Sequence, residues 1–227
     1  MSYCIIPARG GSKRIPRKNI KSFLGKPLIS YSINAALSSQ SIEKIIVTTD
    51  DEEIAEVALA NGADQIIWRN AQLSDDFATT ADVIQDAIKQ CALTDDSLVC
   101  CLYATAPLVD NKNIDLAQKI VASDRHIHYS FCATAFEFPV QRGFVVEAEG
   151  LEMLFPEFMQ TRSQDLPEVY HDAGQFYWAR ARTWLNASPI FSNHSHPIII
   201  PSYLVQDIDT QDDWQQAEFK YQYYIQR

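Results

Sequence analysis

The sequence predicts an α/β fold in which a mostly parallel sheet carries helices on both faces. Apolar runs alternate with amphipathic segments through the first half of the chain, as expected for strands joined by helical crossovers. A glycine-rich, basic loop follows the first apolar run directly, and ligands of such sheets bind where the strands end. The 227 residues, of which 47% are hydrophobic and 21% charged, suffice for one domain with a substantial core.

The elements of the first half are assigned from apolar periodicity. Predicted strands are short, continuous apolar runs that turns or charged residues bound. Predicted helices carry apolar residues three and four positions apart and begin beside proline, aspartate or threonine. These rules place strands at residues 3–7, 44–49, 65–69 and 98–103, and helices at residues 27–38, 50–60, 80–91 and 113–122.

The pattern changes in the second half of the chain. Between residues 136 and 182, aromatic residues and prolines cluster, alternation replaces the helical period, and two glycines mark turns. We therefore predict a β-rich insertion within a single domain that spans residues 1–227. The sheet pattern returns at residues 197–201, and residues 210–224 are predicted to form a closing helix with two aspartates in its first turn.

Charge and composition argue against several classes of function. The net charge of −10 makes the chain a poor non-specific binder of nucleic acid or anionic membranes. No apolar run approaches the roughly 18 residues of a membrane span, and the run at residues 4–7 is too short for a secretory signal. The five cysteines include no CxxC pair, so we expect free thiols in a reducing cytoplasm.

The segment from Arg9 to Asn19 is the strongest functional signal. Gly10 and Gly11 let the backbone turn tightly and present its N–H groups to a ligand. Residues 1–42 hold seven basic residues and no acidic one, and five of the seven lie in this segment. Such charges repel each other unless an anion compensates them, which favours polyphosphate binding over a solvated basic turn. Neither the Walker A spacing nor the GxGxxG spacing occurs here.

Asp207 and Asp209 form a second candidate site. In an extended segment, side chains two positions apart share one face, so both carboxylates can approach one Mg²⁺ ion. The alternative is a solvated loop that caps the helix beginning near Thr210. The spacing alone does not separate the two interpretations, but a neighbouring phosphate loop favours Mg²⁺.

Further polar residues lie at the predicted carboxyl edge of the sheet. Polar groups and aromatics are dense between Tyr170 and Trp178, as in sites that grip a sugar, and a strand with one packed face is an equal alternative. Arg69 directly follows a predicted strand, where it can contact a phosphate or a base, although its neighbours can equally cap the next helix. The histidine pairs at positions 126/128 and 194/196 lie in polar, loop-like stretches, so we interpret them as solvated or locally hydrogen-bonded.

The segment IPARGGSKRIPRKNIK at residues 6–21 resembles the signature loop of the CMP-sialic acid synthetase family, the cytidylyltransferases that activate nonulosonic acids. The resemblance extends through residues 69–80, 102–108, 161–178 and 206–214. The chain departs from sialic acid synthetases at Tyr103, where they typically carry glutamine, and at Ala173, where they carry asparagine. In both places it looks like the pseudaminic acid cytidylyltransferases.

The resemblance implies a Rossmann-like nucleotidyltransferase fold, and a homodimer whose β-rich dimerisation arm corresponds to the insertion at residues 136–182. It also implies that CTP binds on the loop and that a nonulosonic acid sugar binds beside it. The implied nucleotide contacts are Arg9, Gly10, Gly11, Ser12, Lys13, Lys18, Asn19, Arg69, Thr80, Thr105 and Pro107. The implied sugar contacts are Tyr103, Arg162, His171, Asp172 and Gln175, and the implied Mg²⁺ ligands are Asp207 and Asp209.

The reaction expected from this resemblance is in-line attack of the sugar's anomeric hydroxyl on the α-phosphorus of CTP, with release of pyrophosphate. The catalytic candidates are Arg9 and Lys13, which would neutralise phosphate charge, and Asp207 and Asp209, which would hold Mg²⁺. One alternative is activation of sialic, legionaminic or 3-deoxy-octulosonic acid. A more distant alternative is a non-catalytic regulator that binds the nucleotide.

Overall fold

The computed structural model describes residues 1–73 and 78–226. The strands are β1 (Ser2–Pro7), β2 (Ser22–Phe23), β3 (Lys26–Pro27), β4 (Lys44–Thr49), β5 (Gln65–Trp68), β6 (Leu98–Leu102), β7 (Tyr129–Ala135), β8 (Phe144–Glu147), β9 (Gly150–Met153), β10 (Tyr170–Arg180) and β11 (Ser195–Ile199). The α-helices are α1 (Leu28–Ser38), α2 (Glu52–Ala60), α3 (Thr80–Gln90), α4 (Asn111–Ser123), α5 (Ala181–Leu185) and α6 (Gln211–Tyr224). Within those residues, no helix has both the length and the apolar character needed to cross a membrane.

Seven strands form the main sheet, in the order β11-β7-β10-β6-β1-β4-β5. Strand β10 is antiparallel to both of its neighbours, β6 and β7, and the other neighbouring pairs are parallel. The predicted α/β fold with a mostly parallel sheet is therefore confirmed. Because β10 runs in the opposite direction, its first residues lie at the same edge as the last residues of β1, β4 and β6.

Helices cover both faces of the sheet, as predicted. The central strands β1, β4 and β6 are nearly continuous apolar runs, because both of their faces are buried. Cys4 and Ile6 of β1 cluster with residues of α1, α2 and α4 on one face, while Ile5 clusters with residues of α3 and α5 on the other. Trp178 and Trp184 are the largest fully buried side chains of this core.

The closing helix α6 ties the end of the described chain to the basic loop near its beginning. Trp214 of α6 packs with Ile15, Phe23 and Ile208 in a separate buried cluster. The rings of Phe23 and Trp214 meet edge to face, with their centroids 5.4 Å apart. A capping box at Thr210 begins the helix. This packing sets Asp209, which precedes α6, against the basic loop.

The second half of the chain departs from the prediction. Residues 170–180, expected within a β-rich insertion, form β10, an interior strand of the main sheet. Residues 129–135, which periodicity leaves unassigned, form β7 beside it. Strands β8 and β9 form a separate two-stranded hairpin between them. Strand β10 begins with exposed polar residues and ends fully buried, so its pattern changes partway and resembles an excursion rather than one strand.

Candidate active site

A cavity of about 500 Å³ opens at the edge of the sheet where β1, β5 and β6 end, and we call it the loop cavity. The basic loop after β1 forms one wall, and Tyr103, which follows β6, forms another. The predicted nucleotide contacts that line it are Arg9, Ser12, Lys13, Lys18, Asn19, Arg69, Thr80 and Thr105. The fold thus brings together residues of separate segments, which only the family resemblance had connected before.

The basic loop is fixed by contacts with the residues between β4 and α2. The Gly10 amide donates a hydrogen bond to Asp50 Oδ1 at 2.8 Å. A Cβ atom added at Gly10 would lie 2.5 Å from Asp51 Oδ2, so glycine is required for this close approach. Asn19 Nδ2 donates a hydrogen bond to the carbonyl oxygen of Arg9 at 2.9 Å and so holds the two ends of the loop together.

Three cations of the loop are compensated by carboxylates of the protein itself. Arg17 pairs with Asp51 at the start of α2, and this hydrogen bond holds the pKa of Asp51 below its usual range. Arg14 and Lys18 both pair with Asp209, at 2.7 and 3.4 Å. Internal ion pairs therefore offset part of the repulsion that the sequence predicts within the loop.

Arg9, Lys13 and Arg69 bring further positive charge to the lining of the loop cavity. The guanidinium of Arg69 donates to the Thr48 carbonyl oxygen at 2.7 Å and to Thr48 Oγ1 at 3.2 Å. Burial, and to a smaller extent the charge of Arg9, lower the pKa of Arg69 to about 10. The side chain is still charged at neutral pH, and an anion in the cavity would favour that charged form.

A second cavity of about 580 Å³ lies at the same edge, beside the beginning of β10, and we call it the β10 cavity. Its lining includes the predicted sugar contacts His171 and Asp172. Asp172 accepts hydrogen bonds from the Tyr177 hydroxyl and from the Gly174 amide, the latter at 3.2 Å. These bonds orient a carboxylate at the cavity, where it can accept hydrogen bonds from a polyhydroxylated ligand.

Tyr103 lines the loop cavity, although the family resemblance places it among the sugar contacts. Its hydroxyl lies 3.3 Å from Thr80 Oγ1, and its ring meets the Tyr177 ring edge-on at 5.9 Å. Burial raises the pKa of Tyr103 to about 12, so the hydroxyl stays protonated at neutral pH. Because Tyr177 also bonds Asp172, this aromatic pair connects the two cavities.

Asp207 and Asp209 flank the fully buried Ile208. Side chains alternate along an extended segment, so both carboxylates point away from the core that holds Ile208. Asp207 lines the β10 cavity, and burial together with the charge of Asp209 raises its pKa. Asp209 pairs with the loop. Within residues 1–73 and 78–226, no cluster of three or more His, Cys, Asp or Glu side chains offers a metal site by itself.

Six predicted site residues lie outside the described linings of both cavities: Gly10 and Gly11 of the loop, Asp209 beside it, and Pro107, Arg162 and Gln175. Pro107 is buried beside a different, smaller cavity. The Arg162 side chain is 72% exposed and pairs with Asp165 at 2.7 Å. Gln175 is buried, and its Nε2 donates to the carbonyl oxygen of Leu204 at 2.6 Å. Gln175 therefore supports the backbone beside the β10 cavity.

Lys220 and Phe136 are among the residues of the β10 cavity that sequence reasoning does not predict. Lys220 of α6 lines it and donates to the carbonyl oxygen of Val205 at 2.7 Å. Phe136 also lines it, with its ring centroid 4.7 Å from that of His171. No local motif marks either residue, because only the packing of distant segments brings them here. Residues 74–77, part of the resembling segment 69–80, lie outside the described residues.

Comparison with known proteins agrees with this geometry. A sequence model of the family described as cytidylyltransferase matches residues 3–225. The chain is 47% identical to a pseudaminic acid cytidylyltransferase of Campylobacter jejuni strain 81-176, over 97% of this chain and 96% of that protein. It is 30% identical to an N-acylneuraminate cytidylyltransferase of Escherichia coli O18:K1:H7, over 94% of this chain and 50% of that protein. A solved CMP:2-keto-3-deoxy-manno-octonic acid synthetase in complex with CTP has a TM-score of 0.71 at 17% identity, over 96% of this chain and 97% of that one.

A mostly parallel sheet with a glycine-rich cationic loop at its carboxyl edge, together with these relatives, defines the chain as a nucleotidyltransferase. Within that class, the chain belongs to the cytidylyltransferase family, whose sequence pattern it matches across nearly its whole length. The family predicted from the loop and the downstream motifs is thereby confirmed.

We expect Gly10→Ala to destabilise the fold and Gly11→Ala, its matched control, to leave stability nearly unchanged. A Cβ atom at Gly10 must displace Asp51 or the loop, whereas one at Gly11 meets no described atom within 4 Å. Overpacking of this kind lowers the free energy of unfolding by about 1–3 kcal/mol. Urea denaturation followed by tryptophan fluorescence measures both variants. Equal unfolding midpoints would show that the Asp51 contact does not confine the loop.

Proposed function

We propose that this chain transfers CMP from CTP to pseudaminic acid and releases pyrophosphate. The observation that carries the proposal is the similarity to the Campylobacter jejuni relative over almost the whole chain. The geometry supports it, because a cationic cavity suited to a triphosphate adjoins a cavity with an oriented carboxylate suited to a hydroxylated sugar. We place the reaction in the cytoplasm, since all five cysteines, each within the described residues, are free.

The triphosphate is proposed to bind against Arg9, Lys13 and Arg69. These cations line the loop cavity. Arg14 also lines it and pairs with Asp209, and Arg17 pairs with Asp51. Guanidinium and ammonium groups, together with the amides of a glycine-rich loop, stabilise phosphate charge. We place the cytidine against the opposite wall of the loop cavity, beside the hydroxyl groups around Thr80.

In the proposed reaction, the anomeric hydroxyl oxygen of the sugar bonds to the α-phosphorus, and the bond from that phosphorus to the bridging oxygen of the β-phosphate breaks. Pyrophosphate leaves with the bonding electrons, and the hydroxyl proton passes to water. The protein contributes by positioning the reactants and stabilising charge. Arg9 and Lys13 would counter the negative charge that develops on the α-phosphate and on the departing pyrophosphate.

Asp207 and Asp209 are proposed to hold Mg²⁺ together with phosphate oxygens of CTP. The pair fits a hard cation, because both carboxylates lie on one side of an extended segment between the two cavities. Two protein ligands suffice for such a site, since Mg²⁺ keeps water and takes substrate phosphates as further ligands. When bound, the ion would withdraw charge from the phosphate oxygens.

The sugar is proposed to bind in the β10 cavity. Asp172 is held there by Tyr177, and the His171 ring packs against Phe136 at its rim. A fixed carboxylate beside an aromatic surface suits a ring that presents both hydroxyl groups and apolar faces. Sialic, legionaminic and 3-deoxy-octulosonic acids are the alternative substrates, and nucleotide binding without catalysis is the alternative function.

A panel of nonulosonic acids tests the choice of substrate. With CTP and Mg²⁺, we expect kcat/KM for pyrophosphate release to be about tenfold or more higher with pseudaminic acid than with sialic, legionaminic or 3-deoxy-octulosonic acid. Replacing CTP by UTP or ATP provides the nucleotide control. Faster release with another sugar would reassign the substrate, and CTP binding with no release from any sugar would favour the regulator.

Lys13→Ala is expected to lower kcat about 100-fold or more, because it removes a cation from the developing phosphate charge. Lys26→Ala is the matched control, since it removes the same charge from the acid-free stretch of residues 1–42 but lies on β3 and does not line the loop cavity. Steady-state pyrophosphate release measures both variants, and circular dichroism checks that both fold. Near-normal turnover of Lys13→Ala would remove Lys13 from the chemistry.

We also propose that the β8–β9 hairpin is a dimerisation arm that packs against a second copy of the chain. In its antiparallel register Val146 lies opposite Leu151, and Phe144 lies opposite Met153, so these side chains share one face. Phe144, Val146 and Leu151 are 52%, 80% and 62% exposed. A contiguous apolar face of this kind is typical of an association surface. Arg162 follows the hairpin, and we propose that it reaches a sugar only across the dimer.

Val146→Glu is expected to convert the dimer into a monomer, because it would bury a charge in an apolar interface. Phe219→Glu on α6 is the control, since Phe219 is similarly exposed, at 73%, but lies far from the hairpin in sequence and outside it. Size-exclusion chromatography with multi-angle light scattering gives the mass of each. A monomeric parent chain, or a Val146→Glu variant that stays dimeric, would contradict the proposal.

A further inference from the structure

A third polar cavity lies at the opposite edge of the sheet from the candidate active site. Its volume is about 240 Å³, and we call it the basic cavity. Strand β10 runs from Asp172 at the β10 cavity to Arg180 here. At about 3.3 Å per residue, these two positions are roughly 26 Å apart. The residues that line it are Arg125, Ile127, His128, Arg180, Arg182, Thr183, Asn186 and Ser188.

Arg180 is the buried centre of this cavity. Arg180 as a whole residue is only 8% exposed. Its Nη2 donates to the carbonyl oxygens of Val121 and Ala122 near the end of α4, at 2.9 and 3.3 Å. Its Nε is buried and has no hydrogen-bond partner within the described chain. A buried donor of this kind is costly unless an acceptor reaches it.

The surrounding charge is also positive. Arg125 and Arg182 share a single carboxylate, since the Nη1 atom of each lies 3.6 Å from Asp96 Oδ1. Among the described residues that line the cavity there is no carboxylate. Burial, followed by the charges of Arg125 and Arg182, lowers the pKa of Arg180, as expected where positive charges are gathered without full compensation.

Histidines and neutral donors complete the surroundings. His128 lines the cavity and stacks on His194, with their ring centroids 4.7 Å apart. Thr183, Asn186 and Ser188 supply hydroxyl and amide groups on the other side. Guanidinium groups that converge with neutral donors match the oxygens of a tetrahedral oxyanion, because each oxygen can accept several hydrogen bonds.

We propose that the basic cavity binds a phosphate-type oxyanion, such as inorganic phosphate or pyrophosphate. The oxyanion balances the charges of Arg125, Arg180 and Arg182, which all line the cavity. Because this cavity is at the far edge of the sheet, the site is separate from the loop cavity that takes the nucleotide in the proposed reaction.

Isothermal titration calorimetry of the full chain tests the site, with inorganic phosphate and pyrophosphate as the probes. We expect Arg125→Gln and Arg182→Gln each to weaken one binding event about tenfold or more, as loss of a charged hydrogen-bonding partner does. Lys112→Gln, at the opposite end of α4, is the charge-matched control and should bind as the parent chain does. Both arginines are partly exposed, at 66% and 38%, so these variants are expected to fold.

Lys13→Ala separates this site from the loop cavity, because it should keep the binding event that the two arginine variants weaken. In that variant, NMR of the histidine rings should show His128 and His194 shifting when pyrophosphate is added. The proposal is overturned if the Arg125→Gln/Arg182→Gln double variant binds both anions as the parent chain does. It is equally overturned if Lys13→Ala abolishes all binding, or if neither ring responds.

Discussion

The loop cavity of the candidate site depends on holding the basic loop still against the repulsion among its own cations. Ile15 of the loop is 2% exposed in the cluster with Trp214, and burying such a side chain contributes about 1.5–3 kcal/mol. The ion pairs of Arg14 and Arg17 are partly exposed, so solvent screening limits each to about 1 kcal/mol at most. Hydrophobic packing therefore anchors the loop, while the ion pairs fix the positions of Arg14 and Arg17 on it.

Because β10 runs against its neighbours, it begins beside the β10 cavity and ends at the basic cavity. A parallel strand at this position would end, rather than begin, beside the cleft. The register of β10 also shifts between Asp172 and Tyr177, where Gly174 adopts a left-handed φ of 60°. In a regular strand, residues five apart point to opposite faces, and the shift instead lets the Tyr177 hydroxyl reach Asp172. The β10 cavity therefore depends on an irregularity in an otherwise buried strand.

The anchored loop and the irregular strand β10 show which features the sequence predicts and which it does not. The strand at residues 44–49 and the basic loop each have a local signature, so composition and spacing suffice to find them, whereas the role of the Asp207–Asp209 pair stays a prediction. The partner of Arg14 is Asp209, almost the whole chain away, and no local pattern indicates such a pairing. The strand shift near Gly174 likewise changes which side chains meet without changing the alternation that is visible in the sequence. Long-range contacts and register must come from the folded chain.

At Arg180, the last residue of β10, positive charges lie close together, as they do in the basic loop. An apolar side chain of similar volume would fill a buried position at lower cost than a charged one. Capping of α4 accounts for the two bonds that Nη2 donates. It does not account for Nε, which has no partner in the described residues, or for the position of Arg125 and Arg182 around it. The loop cavity has a similar arrangement, since the half-buried Arg69 lies beside further cations of the lining. Because both cavities gather further cations around a buried or half-buried arginine, an oxyanion is the ligand that offsets the positive charge in each.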